Sequence, residues 1–146
     1  MEGSLPSSNR KRILFICTHN SARSQMAEAL INKFHSEEYE AHSAGTEPTA
    51  VSPYAIRAMA EIGINISNNH AKHVDTYRGQ TFDYVVTVCD HAKETCPFFP
   101  GAKKYLHQGL EDPSASKGSD EQKSAIFNRV RDRIKNWIES TFIQEN

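Results

Sequence analysis

A cysteine and an arginine enclose five residues, and a hydroxyl follows at once, in Cys17-Thr18-His19-Asn20-Ser21-Ala22-Arg23-Ser24. That spacing suits an oxyanion cradle. Backbone N–H groups of a tight loop entering a helix converge on one point, the helix dipole adds positive potential, and a guanidinium fork grips two oxygens of a tetrahedral anion. The candidate oxyanion-binding residues are therefore Thr18, His19, Asn20, Ser21, Ala22 and Arg23. The same donors favour the thiolate of Cys17, to which the Ser24 hydroxyl can donate, so a nucleophile is expected at neutral pH. A cysteine with an arginine six positions on is common by chance, and free cysteine is often just a small buried residue. The surrounding elements must supply the specificity.

Two further groups have chemistry in them. In Glu111-Asp112-Pro113 an Asp on a loop stiffened by proline can protonate an oxygen leaving a tetrahedral centre, although the dipeptide alone is only a turn signal. Cys89 and Cys96 stand seven residues apart. On a helix that places them on one face but roughly 10 Å apart along the axis, beyond the ~7 Å limit between Cα atoms of a disulfide. Pairing them requires the segment between to unwind. Asp90, His91, Lys93 and Glu94 make it polar, and Pro97 biases Cys96 away from helix. His91 with the two cysteines lacks the short thiolate spacing of a zinc site, and His70 and His73 have no third ligand nearby, so no metal is expected.

The elements that hold these groups follow from periodicity. Ile13 to Ile16 reads as a strand buried on both faces, and Gln25 to Phe34 as an amphipathic helix. Glu40 to Ala44 is a weak strand, Tyr54 to Ile62 a helix capped by Gly63, Phe82 to Cys89 the clearest strand, Ala102 to His107 a short one, and Glu121 to Phe142 a long helix with one apolar stripe. Strands alternating with helices imply an α/β fold: a single-domain three-layer sandwich, a four-stranded parallel sheet with helices on both faces. Ligands of such sheets collect at the carboxyl ends of strands, where Cys17 and Cys89 are expected. Residues 1–10 read as a flexible lead-in and 11–146 as a single catalytic domain.

The chain has 146 residues, enough for one core without disulfides, and a net charge of −1, which gives no sign of a nucleic-acid partner. Its longest apolar run, Ile13 to Cys17, is far below the ~18 residues of a membrane span, and the basic Arg10-Lys11-Arg12 stands at the wrong end for a secretory signal. Three cysteines are an odd count that favours a reducing cytoplasm. A cytoplasmic protein with neither nucleic-acid nor membrane partner is expected.

The loop, the helix start Ser24-Gln25-Met26-Ala27-Glu28 and Ser43-Ala44-Gly45 resemble the low-molecular-weight protein tyrosine phosphatases and, more closely, the thioredoxin-coupled arsenate reductases of the same fold, over about residues 11 to 142. The resemblance implies Cys17 as nucleophile, Arg23 as oxyanion clamp, Asn20 as the residue shaping the loop and Asp112 as general acid. His19 stands where many members have glycine, a position where a tight turn prefers Gly or Asn. Val86-Thr87-Val88-Cys89 and Cys96-Pro97 match the reductases. They imply a relay in which Cys89 attacks Cys17, arsenite leaves, Cys96 resolves the disulfide, and an external dithiol such as thioredoxin resets the Cys89–Cys96 bond. The expected ligand is an arsenate or phosphate oxyanion, with no cofactor. Relatives hold a potassium-like cation against residues matching Asn20, Glu28 and Ser43. Lys72, where some have a carboxylate, would weaken that site or supply an ammonium instead. The same-fold alternative is a phosphatase acting on phosphotyrosine through a cysteinyl-phosphate, against which Ser114-Ala115 replaces the tyrosines common there. Residual phosphatase activity is expected in either case. From another class, the alternative is a redox-sensing or anion-binding interaction module.

Overall fold

In the computed structural model, residues 10–90 and 98–143 are described. Four parallel strands form one sheet in the order β2-β1-β3-β4: β1 Lys11–Cys17, β2 Tyr39–Gly45, β3 Phe82–Thr87 and β4 Ala102–His107. Chain order reverses direction across β1 and β3, which makes their carboxyl ends the switch point of the sheet. Cys17 closes β1 there. Ile16 pairs with Thr87, and Val88 N–H donates to the Ile16 carbonyl at 2.9 Å, so the chain carrying Cys89 leaves β3 alongside Cys17.

The sheet divides two apolar cores by its period of two. Ile13, Phe15 and Cys17 face α1 (Arg23–Phe34), α2 (Pro53–Ala60) and α3 (Asp120–Phe142), whose Met26, Leu30, Ala55, Met59, Phe127, Val130, Ile134 and Ile138 are buried against them. Leu14 and Ile16 face the other way, onto a 3₁₀ turn at Val74–Tyr77 and onto Phe82, Val85 and Phe99. Arg131 of α3 is buried and donates to the Ala58 carbonyl at 2.7 Å, which ties α2 to α3. At the edge of the sheet, β4 exposes Lys103 and Lys104, charges that discourage another chain from pairing there.

Several boundaries differ from expectation for local reasons. β1 begins at Lys11, and Arg10 donates to the Ser36 carbonyl and pairs with Glu40, so ordered contacts reach to the end of the expected lead-in; residues 1–9 lie outside the described residues. α1 opens at Arg23, two residues before Gln25. α2 starts at Pro53 because the Ser52 hydroxyl caps it, and it ends at Ala60; Gly63 follows with φ +84°, the left-handed stop expected of it. α3 begins at Asp120 behind a capping box of Ser119 and Gln122. Among the described residues, no helix is long and apolar enough to cross a membrane.

Candidate active site

The loop between β1 and α1 is shaped from outside by the irregular segment 46–52 that follows β2. Glu47 N–H donates to the Thr18 carbonyl (2.9 Å), Thr49 N–H to that of His19 (3.2 Å) and Ser52 N–H to that of Ser21 (3.0 Å). In a planar trans peptide the next N–H points the opposite way. The amides of His19, Asn20 and Ala22 are thereby turned toward the inside of the loop, where an oxyanion would sit. Gly45, at the end of β2, lets the bracing segment come this close: a Cβ there would stand 2.9 Å from Asn20 N and Cys17 O and closer still to Thr18 O.

The expected difficulty at His19 does not arise. The left-handed conformation falls one residue later, on Asn20 (φ 51°), a residue type that tolerates it. His19 Nδ1 lies 2.9 Å from the Glu47 carbonyl, adding a side-chain tie to the same bracing segment. Asn20 is fully buried, and its amide orientation is set by its partners: Oδ1 accepts from Lys72 N (2.8 Å) and Gln25 Nε2 (3.0 Å). Nδ2 must then donate to Ser24 Oγ, 2.7 Å away. With that oxygen already accepting, the Ser24 hydroxyl is free to donate to Cys17 Sγ at 2.9 Å. A chain of donors anchored on a backbone amide thus ends on the sulfur.

Arg23, 2% exposed, spans the mouth of the loop. Its Nη1 donates to the Leu110 carbonyl (3.2 Å), and its Nη2 lies 3.7 Å from Asp112 Oδ2. Asp112 Oδ1 accepts from Ser114 N at 3.0 Å, capping a 3₁₀ turn at Pro113–Ala115, so the second oxygen is the one presented to the loop. Glu111 turns away to Arg129 and Arg133. The structure therefore brings Cys17, Ser24, Arg23 and Asp112 together. Cys89 is also fully buried, its Sγ 3.9 Å from the Ile16 carbonyl, in the same apolar cluster as Cys17. Cys96 lies outside the described residues.

Residue reasoning missed two contributors, the Gly45 approach and the backbone amide of Lys72, because neither leaves a side-chain signature. The Lys72 ammonium lies 3.9 Å from Glu28 Oε1, and the Ser43 hydroxyl donates to the same carboxylate oxygen, so a cation of the protein's own stands beside Glu28. Among the described residues, no cluster of three His, Cys, Asp or Glu side chains could hold a metal ion.

A parallel sheet with a cysteine at its switch point, at the base of an arginine-closed loop, is an architecture suited to reactions at tetrahedral oxyanions. The family model for low molecular weight phosphotyrosine protein phosphatase matches residues 12–145, and the chain belongs to that family. It is 47% identical to the arsenate reductase of Halalkalibacterium halodurans over 126 residues, 86% of this chain and 91% of the relative. A solved arsenate reductase in its phosphate-binding state superposes with a TM-score of 0.75 at 30% identity, covering 89% of this chain and 95% of that one. A thioredoxin-dependent arsenate reductase of Corynebacterium glutamicum superposes at 0.65 with 30% identity, over 96% of this chain and 66% of that one.

Proposed function

We propose that the chain is an arsenate reductase in which Cys17 is the nucleophile and Cys89 and Cys96 carry the oxidising equivalents away. The observation that carries this reading is the placement of Cys17 Sγ under a hydrogen-bonded Ser24, between inward-turned amides and a buried Arg23, with Cys89 buried in the same cluster. The arsenate reductases among its relatives support the substrate.

Arsenate binds against the loop amides and the Arg23 guanidinium. The Cys17 thiolate attacks arsenic, an S–As bond forms, and one oxygen leaves with the proton supplied by Asp112. The Cys89 thiolate then attacks the Cys17 sulfur. The S–As bond breaks with its electron pair on arsenic, which passes from As(V) to As(III) and leaves as arsenite, while a Cys17–Cys89 disulfide forms. Cys96 attacks the Cys89 sulfur, frees the Cys17 thiolate and leaves a Cys89–Cys96 disulfide. A dithiol such as thioredoxin reduces that bond, since the single remaining thiol cannot, and a cytoplasmic location supplies such a donor. Phosphate presents the same shape to the cradle, so slow hydrolysis of aryl phosphates accompanies the main reaction.

One paired assay tests this: arsenate-dependent oxidation of a thioredoxin system beside hydrolysis of an aryl phosphate. Wild-type enzyme should show rapid oxidation and slow hydrolysis, Cys17→Ser neither, and Arg23→Lys little of either, because a point charge cannot reproduce the guanidinium fork. Aryl-phosphate hydrolysis without arsenate-dependent oxidation would make the chain a phosphatase. Turnover of either substrate by Cys17→Ser would remove this cysteine as the nucleophile.

A further inference from the structure

Asp112 borders a cavity of about 470 Å³ that Asp90, Lys117 and Ile126 also line, and among the described residues none of the oxyanion loop reaches it. The Asp112 carboxylate therefore faces open space on one side. Its aim depends on how the chain around it is tied down.

Three ties are visible. After Asp112, Pro113 is buried and the Ser116 hydroxyl donates to its carbonyl at 2.7 Å. Before it, Leu110 is 3% exposed in the main core, and its carbonyl accepts from Arg23. The third tie is ionic. Arg129 Nη2 donates to both carboxylate oxygens of Glu111 at 3.0 Å, and Arg133 Nη1 lies 3.8 Å from Oε1. Those arginines are four residues apart on α3, so they share one face of a helix that Val130 and Ile134 anchor in the core.

Consecutive side chains of extended backbone leave on opposite sides, and Asp112 is extended, with φ −83° and ψ 107°. A segment whose Glu111 is drawn onto α3 thus turns Asp112 the other way, where its Oδ2 lies 3.7 Å from Arg23 Nη2. The two adjacent carboxylates answer to separate arginines. A lone exposed ion pair does little, but here one carboxylate takes two guanidinium groups held by the same helix.

We propose that Glu111 is a positioning residue for the proton donor: its link to Arg129 and Arg133 fixes the turn of the segment that sets Asp112 beside Arg23. Glu111 touches no reacting atom and carries no proton in the reaction. The inference rests on the reading of Asp112 as the group that protonates the departing oxygen.

A double-mutant cycle on the full-length chain tests this, read as kcat/KM for arsenate with urea midpoints as the check on folding. Glu111→Gln keeps the shape and removes the charge. It should lower kcat/KM about fivefold, at the upper end for a networked surface pair, and leave the urea midpoint near that of wild type. Asp112→Asn alone should cost about 100-fold or more. In that background Glu111→Gln should cost nothing further, because no proton is left to aim. Equal loss in both backgrounds would mean that Glu111 acts on the fold or the cradle, and it overturns the proposal, as does wild-type kcat/KM in Glu111→Gln. Wild-type kcat/KM in Asp112→Asn overturns the proton-donor reading itself and leaves Glu111 nothing to position, whereas no arsenate turnover by wild type places the error in the proposed function.

Discussion

Gly45→Ala is the perturbation that most directly separates the shape of the oxyanion loop from the stability of the fold. The added methyl would meet Asn20 N and Cys17 O at 2.9 Å, about half an ångström inside the 3.4 Å at which ordinary contact begins, and would press harder on Thr18 O. All three are backbone atoms of the loop, so no side-chain rotation relieves the contact. The loop must move by several tenths of an ångström, and the Glu47 and Thr49 amides that hold it move too. Overpacking of this kind costs about 1–3 kcal/mol of stability. Displacing catalytic donors by about 1 Å costs on the order of 100-fold in rate. Gly63→Ala is the control: at φ +84° it carries a left-handed penalty of roughly 1–2 kcal/mol, but nothing lies within 4 Å of its added methyl. Urea unfolding and arsenate-reduction kinetics on both variants should show similar stability losses, with a drop in kcat/KM approaching 100-fold for Gly45→Ala alone. Wild-type kcat/KM in Gly45→Ala would refute the reasoning that the close approach of this strand sets the loop.

Asp112→Asn should slow hydrolysis of aryl phosphates with poor leaving groups far more than those with good ones, because a weakly basic oxygen needs little protonation; an equal loss across the series would take the proton-donor role from Asp112. Burial pushes the Tyr77 hydroxyl up to about 12 from an ordinary 10, with the Glu28 charge adding to it. The folded state therefore keeps a proton that the unfolded chain gives up, so stability is whole below pH 10 and falls as pH rises from about 10 to 12. Urea midpoints at pH 8 and pH 11 should accordingly fall less for Tyr77→Phe than for wild type, and parallel falls would contradict the burial effect.

The central strands were legible because Ile13 to Ile16 is a continuous apolar run, as in a strand buried on both faces, and Phe82 to Val88 is rich in β-branched and aromatic residues. The spacing from Cys17 to Ser24 located the loop for a similar reason, since the residue types that bind an oxyanion are few. What stayed hidden is carried by backbone. The Glu47, Thr49 and Ser52 amides that turn the loop inward, and the Lys72 amide that orients Asn20, would be the same with other side chains. The 3₁₀ turn at Val74–Tyr77 is one turn long and shows no periodicity, yet it covers the second face of the sheet. A tight turn at His19 would prefer Gly or Asn, but which residue takes the left-handed conformation depends on a hydrogen-bond network that spacing does not encode.

The three-thiol relay is tested most directly by counting arsenite released by Cys96→Ser, with the disulfides then mapped by mass spectrometry. If Cys96 only resolves the first disulfide, each chain should release about one arsenite and then stall with Cys17 joined to Cys89, because no internal thiol remains to free the nucleophile. Wild-type enzyme treated with arsenate in the absence of a donor should instead end with Cys89 joined to Cys96. Undiminished multiple turnover by Cys96→Ser with thioredoxin as sole donor, or a mapped disulfide that does not include Cys89, would contradict the relay.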